Sequence, residues 1–145
     1  KPAPTAAPIT LLLPLDSPDF GAAAEAVRQG FFAAHTATAT RIAVDVRRTD
    51  ATPQKIMEAY GAAAAGGTRV VVGPLTRSGV TAIAGTVGGD VAVLALNQPD
   101  APMALPPRFH TFGLAVEAES RAAARAAFEQ GLRSIAVVSS GTPLA

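Results

Sequence analysis

Short apolar runs alternate along this chain with longer alanine-rich stretches, and this alternation limits the possible folds more than any other feature. Ile9–Leu13 and Val91–Leu96 are almost uninterrupted by polar residues, which is typical of strands buried on both faces. The stretches between such runs place apolar residues at helical spacing, and alanine itself favours helix. The pattern therefore predicts an α/β fold in which helices cover both faces of a parallel sheet.

The order of these elements predicts a doubly wound sheet. The predicted strands are Ile9–Leu13, Arg41–Val46, Arg69–Gly73, Val91–Leu96, His110–Leu114 and Ile135–Ser139. Right-handed crossovers arrange the first five in the order 2-1-3-4-5. The first helix is expected to begin after Ser17, which would cap it with Pro18 at the first helical position. The other helices are predicted to start at Thr52-Pro53, after Gly73–Gly79 and near Val116, and to end at Gly66-Gly67, Gly88-Gly89 and Gly131.

The composition argues against several classes of function. The 12 basic and 11 acidic residues nearly balance, and with one Tyr and no Trp the chain lacks the clustered basic and aromatic surface that nucleic-acid binding needs. The absence of cysteine excludes thiol chemistry and cysteine metal sites. His35 and His110 lack neighbours at metal-ligand spacing, and no Ser/His/acid set stands out. We therefore expect no catalytic activity, no metal and no cofactor.

The candidate binding site follows from the predicted topology. In a doubly wound sheet, ligands bind beyond the carboxyl ends of the strands, where the strand order reverses. The loops after the first, third and fourth strands carry the candidate ligand-binding residues Ser17, Thr76, Arg77, Ser78 and Asn97. Hydroxyls, an arginine and the N–H groups of helix starts favour a small anionic or amino-acid-like ligand. The alternative is that the hydroxyls only cap helices and that Asn97 only forms a turn before Pro99.

Three segments together resemble a known family. They are Ile9–Leu15, Val70–Leu75 and Val93–Asn97, and Phe112–Leu114 before an acidic helix start adds to them. In this order they are similar to the C-terminal domain of the LppC/LpoA lipoproteins, the penicillin-binding protein activators. That family is in turn similar to type I periplasmic binding proteins, such as those for branched-chain amino acids. The resemblance implies one lobe of a type I periplasmic binding protein-like fold.

The resemblance also implies a function. It implies a periplasmic lipoprotein, anchored in the outer membrane, that stimulates a bifunctional penicillin-binding protein (a peptidoglycan synthase) by direct contact and without catalysis of its own. By position, Thr76 and Ser78 match the ligand-holding loop of amino-acid-binding relatives, and Ser17 matches the loop after the first strand. Arg77 between the two hydroxyls departs from those relatives. The alternative function is a solute-binding protein of an ABC transporter for amino acids or similar small molecules.

Because the family's fold has two lobes, the chain is expected to hold only part of it. Residues 1–8 are predicted to be a linker after a removed segment, 9–114 the N-terminal lobe, and 115–145 the start of a second, incomplete lobe. Membrane attachment would come only from a lipid anchor outside this sequence. An incomplete lobe predicts a homodimer, through an apolar surface made by Ala124, Ala127, Phe128, Ile135, Val137 and Val138.

Overall fold

The structure, a computed structural model, describes residues 8–39, 41–113, 116–134 and 136. The chain divides into two compact units, with the boundary between residues 113 and 114. Within the described residues, the first unit holds a five-stranded sheet with the helices α1, α2 and α3, and the second unit holds the helix α4. The predicted sixth strand, Ile135–Ser139, lies outside the described residues.

The sheet of the first unit has the predicted topology. Its strands are β1 (Ile9–Leu13), β2 (Val44–Arg48), β3 (Val70–Val72), β4 (Ala92–Ala95) and β5 (Phe109–Thr111). They pair in the order β2-β1-β3-β4-β5, and every pair is parallel. The prediction of a doubly wound parallel sheet in the order 2-1-3-4-5 is therefore confirmed, and the carboxyl ends of its strands lie along one edge.

The helices begin and end close to the predicted positions, with two exceptions at α1 and α3. They are α1 (Gly21–Ala37), α2 (Pro53–Ala65), α3 (Arg77–Ala84) and α4 (Val116–Glu129). The predicted cap of α2 is confirmed, because the Thr52 side chain accepts a hydrogen bond from the Lys55 N–H at 3.4 Å. The third helix ends earlier than predicted, since Gly85 forms its C-cap and the chain then turns before reaching Gly89.

Successive residues of β1 point to opposite faces of the sheet and so supply two separate cores. Leu12 packs with Ile56 of α2 and Val80 of α3 on one face. Leu11 and Leu13 pack on the other face against α1, where Ala24 is buried. These side chains of β1 are at most 1% exposed, so this strand is the centre of the fold. Helices therefore cover both faces, as the apolar runs predict.

The edge strand β2 is displaced toward the carboxyl side of the prediction. The alternation of apolar residues predicts Arg41–Val46, but the strand spans Val44–Arg48. Its limits follow from the ladder with β1, in which Leu12 pairs with Arg47 and Leu13 with Arg48. An edge strand tolerates such charged residues because one side of it faces solvent.

A pH-dependent ion pair stabilises α1. Hydrogen bonds from Arg28 and then Gln29 lower the pKa of Glu25 to about 2, from an ordinary value of 4.5. Because the folded-state pKa is lowered, this contribution is present above pH 4.5 and is lost as the pH falls toward about 2. We expect carboxyl NMR titration to give a Glu25 pKa of about 2, and a return toward 4.5 in Arg28→Gln. An unshifted Glu25 in the parent chain would contradict the ion pair.

Candidate functional site

The loops after β3 and β4 are joined at the carboxyl edge of the sheet. The N–H of Leu96 donates to the carbonyl oxygen of Pro74 at 2.9 Å, and the side-chain amide of Asn97 donates to the carbonyl oxygen of Leu75 at 3.0 Å. Asn97 also accepts from the Gln98 N–H at 2.9 Å. The structure therefore brings Asn97 together with the loop that carries Thr76, and it uses the Asn97 amide to hold the two loops in place.

Gly73, directly after β3, lies close to the backbone of Leu12 in β1. Gly73 has a φ of +118°, which L side chains rarely adopt, and the bond to Pro74 is cis. A methyl group on Gly73 would overlap the carbonyl oxygen of Leu12. Glycine is thus required here by both the backbone conformation and the close approach.

Thr76 and Ser78 have different environments. Thr76 is the N-cap of α3, is 5% exposed, and accepts a hydrogen bond from the Gly79 N–H at 3.3 Å. Ser78 lies within the first turn of the same helix and is exposed. The Thr76 hydroxyl therefore caps the helix, whereas Ser78 is exposed and does not form the cap.

Arg77 and the start of α3 hold the loop that follows Asn97. The Arg77 guanidinium donates to the carbonyl oxygen of Pro99 at 3.2 Å. The Thr81 hydroxyl donates to the Asp100 carboxylate at 3.1 Å and accepts from the Asp100 N–H at 2.9 Å. Sequence reasoning missed Thr81 and Asp100, since they are 19 positions apart and no local pattern links them. Their effect is to keep the loop of residues 97–100 against α3.

The prediction that Ser17 caps the first helix is wrong. α1 begins at Gly21, and its N-cap is Phe20, which makes no side-chain capping bond. The Ser17 hydroxyl instead accepts from the Phe20 N–H at 3.3 Å within a turn, and its carbonyl accepts from the Gly21 N–H at 2.8 Å. Ser17 is 6% exposed. The turn delays the helix by three residues relative to Pro18, so α1 does not begin directly after Ser17 as predicted.

The polar side chains at this edge are largely occupied by the protein itself. Among the described residues, no buried side-chain nitrogen or oxygen lacks a hydrogen-bond partner. Asp16, beside Ser17, pairs with Arg48 of β2 at 2.6 Å, and both side chains are about half exposed (51% and 58%). In the part of the chain that the structure describes, no group of three or more His, Cys, Asp or Glu side chains could hold a metal ion. No helix within those residues has the length and apolarity that crossing a membrane requires.

The contrast between Thr76 and Ser78 gives a direct prediction. We expect Thr76→Ala to lower the free energy of unfolding by about 1 kcal/mol, because the Gly79 N–H loses its partner. Ser78→Ala is the matched control, and we expect it to change stability by less than about 0.5 kcal/mol because the side chain is exposed. Urea unfolding of the two variants measures both values. Equal losses at the two positions would contradict the assignment of the cap.

The fold and the placement of its polar loops define the class of this protein. A lobe with parallel strands in the order β2-β1-β3-β4-β5, and with the Gly73-Pro74-Leu75 junction at its carboxyl edge, is one lobe of a type I periplasmic binding protein-like fold. A profile of the family described as "LppC putative lipoprotein" matches residues 4–141. The chain therefore belongs to the LppC lipoprotein family.

Solved structures agree with this assignment. Full-length LpoA from Haemophilus influenzae superposes with a TM-score of 0.75 at 28% sequence identity, over 88% of this chain and 23% of LpoA. The LpoA (YraM) C-domain from the same organism, described as a regulator of PBP1A, gives a TM-score of 0.73 at 29% identity, over 88% of this chain and 39% of that domain.

A transporter protein is also similar. A "putative branched-chain amino acid ABC transporter" from Chromobacterium violaceum gives a TM-score of 0.69 at 34% identity, over 86% of this chain and 40% of that one. None of the curated proteins compared with the chain matches it. The chain thus spans between 23% and 40% of the length of the solved relatives described above.

Proposed function

We propose that this chain is a non-catalytic regulatory domain of a periplasmic lipoprotein, which binds and activates a bifunctional penicillin-binding protein. The observation that carries the proposal is the match of 88% of the chain to the LpoA C-domain, because that domain is described as a regulator of PBP1A. The family profile over residues 4–141 supports the same assignment. In the full-length protein, a lipid anchor in the outer membrane would hold the domain in the periplasm.

The chemistry of the carboxyl edge supports a regulator over an enzyme. The Thr76 and Ser17 hydroxyls accept hydrogen bonds from nearby backbone N–H groups, and neither has a histidine partner within the described residues. His35 lies in the last turn of α1, with Nε2 2.9 Å from the carbonyl oxygen of Ile42. His110 is exposed on β5. Nucleophilic catalysis needs a base within hydrogen-bond reach of the nucleophile, and these positions do not supply one.

Stimulation of a synthase tests the proposal. Adding the purified chain to its cognate bifunctional penicillin-binding protein is expected to raise the rate of peptidoglycan synthesis from lipid II. The chain alone should form no product. Heat-denatured chain at the same concentration is the control. An unchanged synthase rate at saturating chain, or product formed by the chain alone, would overturn the proposal.

The second candidate function is solute binding, favoured by the 34% identity to the transporter protein. Its ligand-binding residues would be those predicted from the sequence, Ser17, Thr76, Arg77, Ser78 and Asn97. Of these, Ser78 is exposed and Arg77 donates to Pro99. With the Ser17 helix start absent, the lobe offers a small anionic or amino-acid-like ligand few contacts. We expect affinities of about millimolar, near −4 kcal/mol.

Calorimetry separates the two functions. The chain is titrated with leucine, glutamate and short peptidoglycan peptides, and the regulator proposal expects no binding tighter than about millimolar. Binding of leucine or glutamate at micromolar concentrations would favour the solute-binding function over the regulator. Repeating a positive titration with Ser78→Ala then tests whether the exposed hydroxyl takes part in it.

We also propose that the chain associates with a second copy of itself. In the second unit, Phe128 and Leu132 are 63% and 55% exposed. Ala127, near Phe128 on α4, is half-buried, whereas Ala124 is exposed. Ile135, Val137 and Val138 of the predicted surface lie outside the described residues. Exposed apolar side chains favour contact with a second copy. Light scattering after gel filtration is expected to show a dimer, and a monomer at high concentration would contradict it.

A further inference from the structure

An apolar groove lies in the first unit, away from the carboxyl edge and its polar loops. It is formed by the second half of α2 and by the segment between α3 and β4, and its volume is about 310 Å³. Its lining includes Met57, Tyr60 and Gly61 of α2, and Val87, Gly88 and Asp90 of the segment before β4. Because α2 ends and β4 begins on this side, the groove faces the amino edge of the sheet.

The groove combines an apolar body with one negative charge. Ile83 is 1% exposed and lines it together with Met57, which is 39% exposed. Tyr60 and Asp90 are the aromatic and the charged residues of the lining. Burial, and secondly the Asp90 charge, raise the pKa of the Tyr60 hydroxyl. Tyr60 therefore remains protonated at neutral pH, and Asp90 lines the same groove.

Asp90 is an exposed residue of the groove lining. The ion pairs among the described residues join Glu25, Asp16, Asp45 and Glu58 to their partners, and Asp90 is in none of them. The Arg108 guanidinium lies nearby, but it donates to the backbone carbonyl oxygen of Asp90 at 3.2 Å. An exposed carboxylate beside an aromatic ring and aliphatic side chains matches a cation that carries an apolar stem.

We propose that this groove binds an arginine side chain of a protein partner. The methylenes of the arginine would lie along Met57 and Val87, and the guanidinium would reach the Asp90 carboxylate and the face of the Tyr60 ring. An arginine side chain has an apolar stem for the aliphatic lining and a guanidinium group that suits both the carboxylate and the aromatic ring. Arginine is also among the residues that contribute most binding free energy at protein interfaces. The inference stands independently of the function proposed above.

Two glycines of the groove lining can be substituted without a steric clash against the core. A methyl group on Gly61 or on Gly88 would meet no heavy atom within 4 Å outside its local backbone. Gly61→Leu should therefore fill the groove from α2 while leaving the core unchanged. Gly30 of α1 has the same open surroundings and lies on a different helix, so Gly30→Leu is the matched control. Thermal unfolding of both variants checks that they are folded.

The experiment is an NMR titration of the whole chain, labelled with ¹⁵N, with N-acetyl-arginine methylamide. The neutral isostere N-acetyl-citrulline methylamide serves as the matched ligand. We expect the arginine compound to shift the backbone amides of Gly61 and Gly88 and to bind about tenfold more tightly than the citrulline compound, since the bond to Asp90 is charge-assisted. Asp90→Asn should remove that preference, Gly61→Leu should abolish the shifts, and Gly30→Leu should retain both.

Any one of the following outcomes would overturn the proposal. The first is an absence of shifts at Gly61 and Gly88 with the arginine compound at roughly tens of millimolar. The second is equal binding of the arginine and citrulline compounds. The third is an unchanged preference in Asp90→Asn, which would place the bound cation elsewhere. Loss of binding in Gly30→Leu as well as Gly61→Leu would count against the groove as the site.

Discussion

We expect Gly73→Ala to lower the free energy of unfolding by about 4 kcal/mol or more. Two independent costs add. A φ of +118° disfavours any residue with a Cβ. The new methyl group would also overlap the carbonyl oxygen of Leu12, which is backbone at the centre of the sheet and cannot move aside cheaply. Chemical denaturation followed by circular dichroism measures the loss.

The control for this prediction is a glycine in open space. Gly61 lies within α2 and has no heavy atom near a built methyl group outside its own helix. Gly61→Ala should stabilise the chain by about 0.5–1 kcal/mol, because alanine favours helix over glycine. If the free energy of unfolding of Gly73→Ala instead lies within about 1 kcal/mol of the parent value, the close approach of Gly73 to Leu12 is incorrect.

Leu12→Ala is expected to cost about 3 kcal/mol. Leu12 is 1% exposed and packs against both α2 and α3, through Ile56 and Val80. Removing its side chain leaves a cavity between a central strand and two helices, and such a site collapses only partly. The same substitution tests the topology, because only a central β1 places Leu12 against both helices. Urea unfolding gives the free energy.

A half-exposed leucine gives the comparison. Leu105 precedes β5 and is 37% exposed, so Leu105→Ala should cost no more than about 1 kcal/mol. A loss at Leu12 as small as the loss at Leu105 would mean that β1 is not the buried centre of the sheet.

The sheet topology was predictable because it depends on local patterns and a general rule. Apolar runs with almost no polar residue mark Ile9–Leu13 and Val70–Val72 as buried strands, and right-handed crossovers then set their order. The cap at Thr52 was predictable for the same reason, since Thr-Pro before an apolar period is a local signal. The exact limits of β2 were not predictable from the sequence, because they follow from its ladder with β1 rather than from its own residues.

The start of α1 shows where local signals compete. Ser17-Pro18 is a valid capping sequence, yet the chain forms a turn there and begins the helix at Gly21. In that turn the Leu15 N–H donates to the carbonyl oxygen of Leu13 and the Ser17 N–H to that of Pro14. These bonds depend on how the end of β1 leaves the sheet. No pattern within residues 14–20 distinguishes this turn from a cap.

The sequence predicts which edge of the sheet carries the loops of the candidate site, but not the contacts between those loops. Topology alone puts the loops with Thr76 and Asn97 at one edge, and they are joined there. The contact of Arg77 with Pro99, and that of Thr81 with Asp100, required the three-dimensional path of the loop after β4. The groove at Tyr60 and Asp90 likewise combines residues from two elements that the sequence keeps apart.

The most direct test of the proposed regulatory function is binding between the purified chain and the periplasmic part of a bifunctional penicillin-binding protein from the same organism. Surface plasmon resonance with the immobilised synthase measures it, and leucine is added as a competitor. We predict saturable binding at about micromolar or lower concentrations, near −8 kcal/mol, that leucine does not change. The absence of synthase binding, together with micromolar binding of leucine by calorimetry, would contradict the account and favour a solute-binding protein.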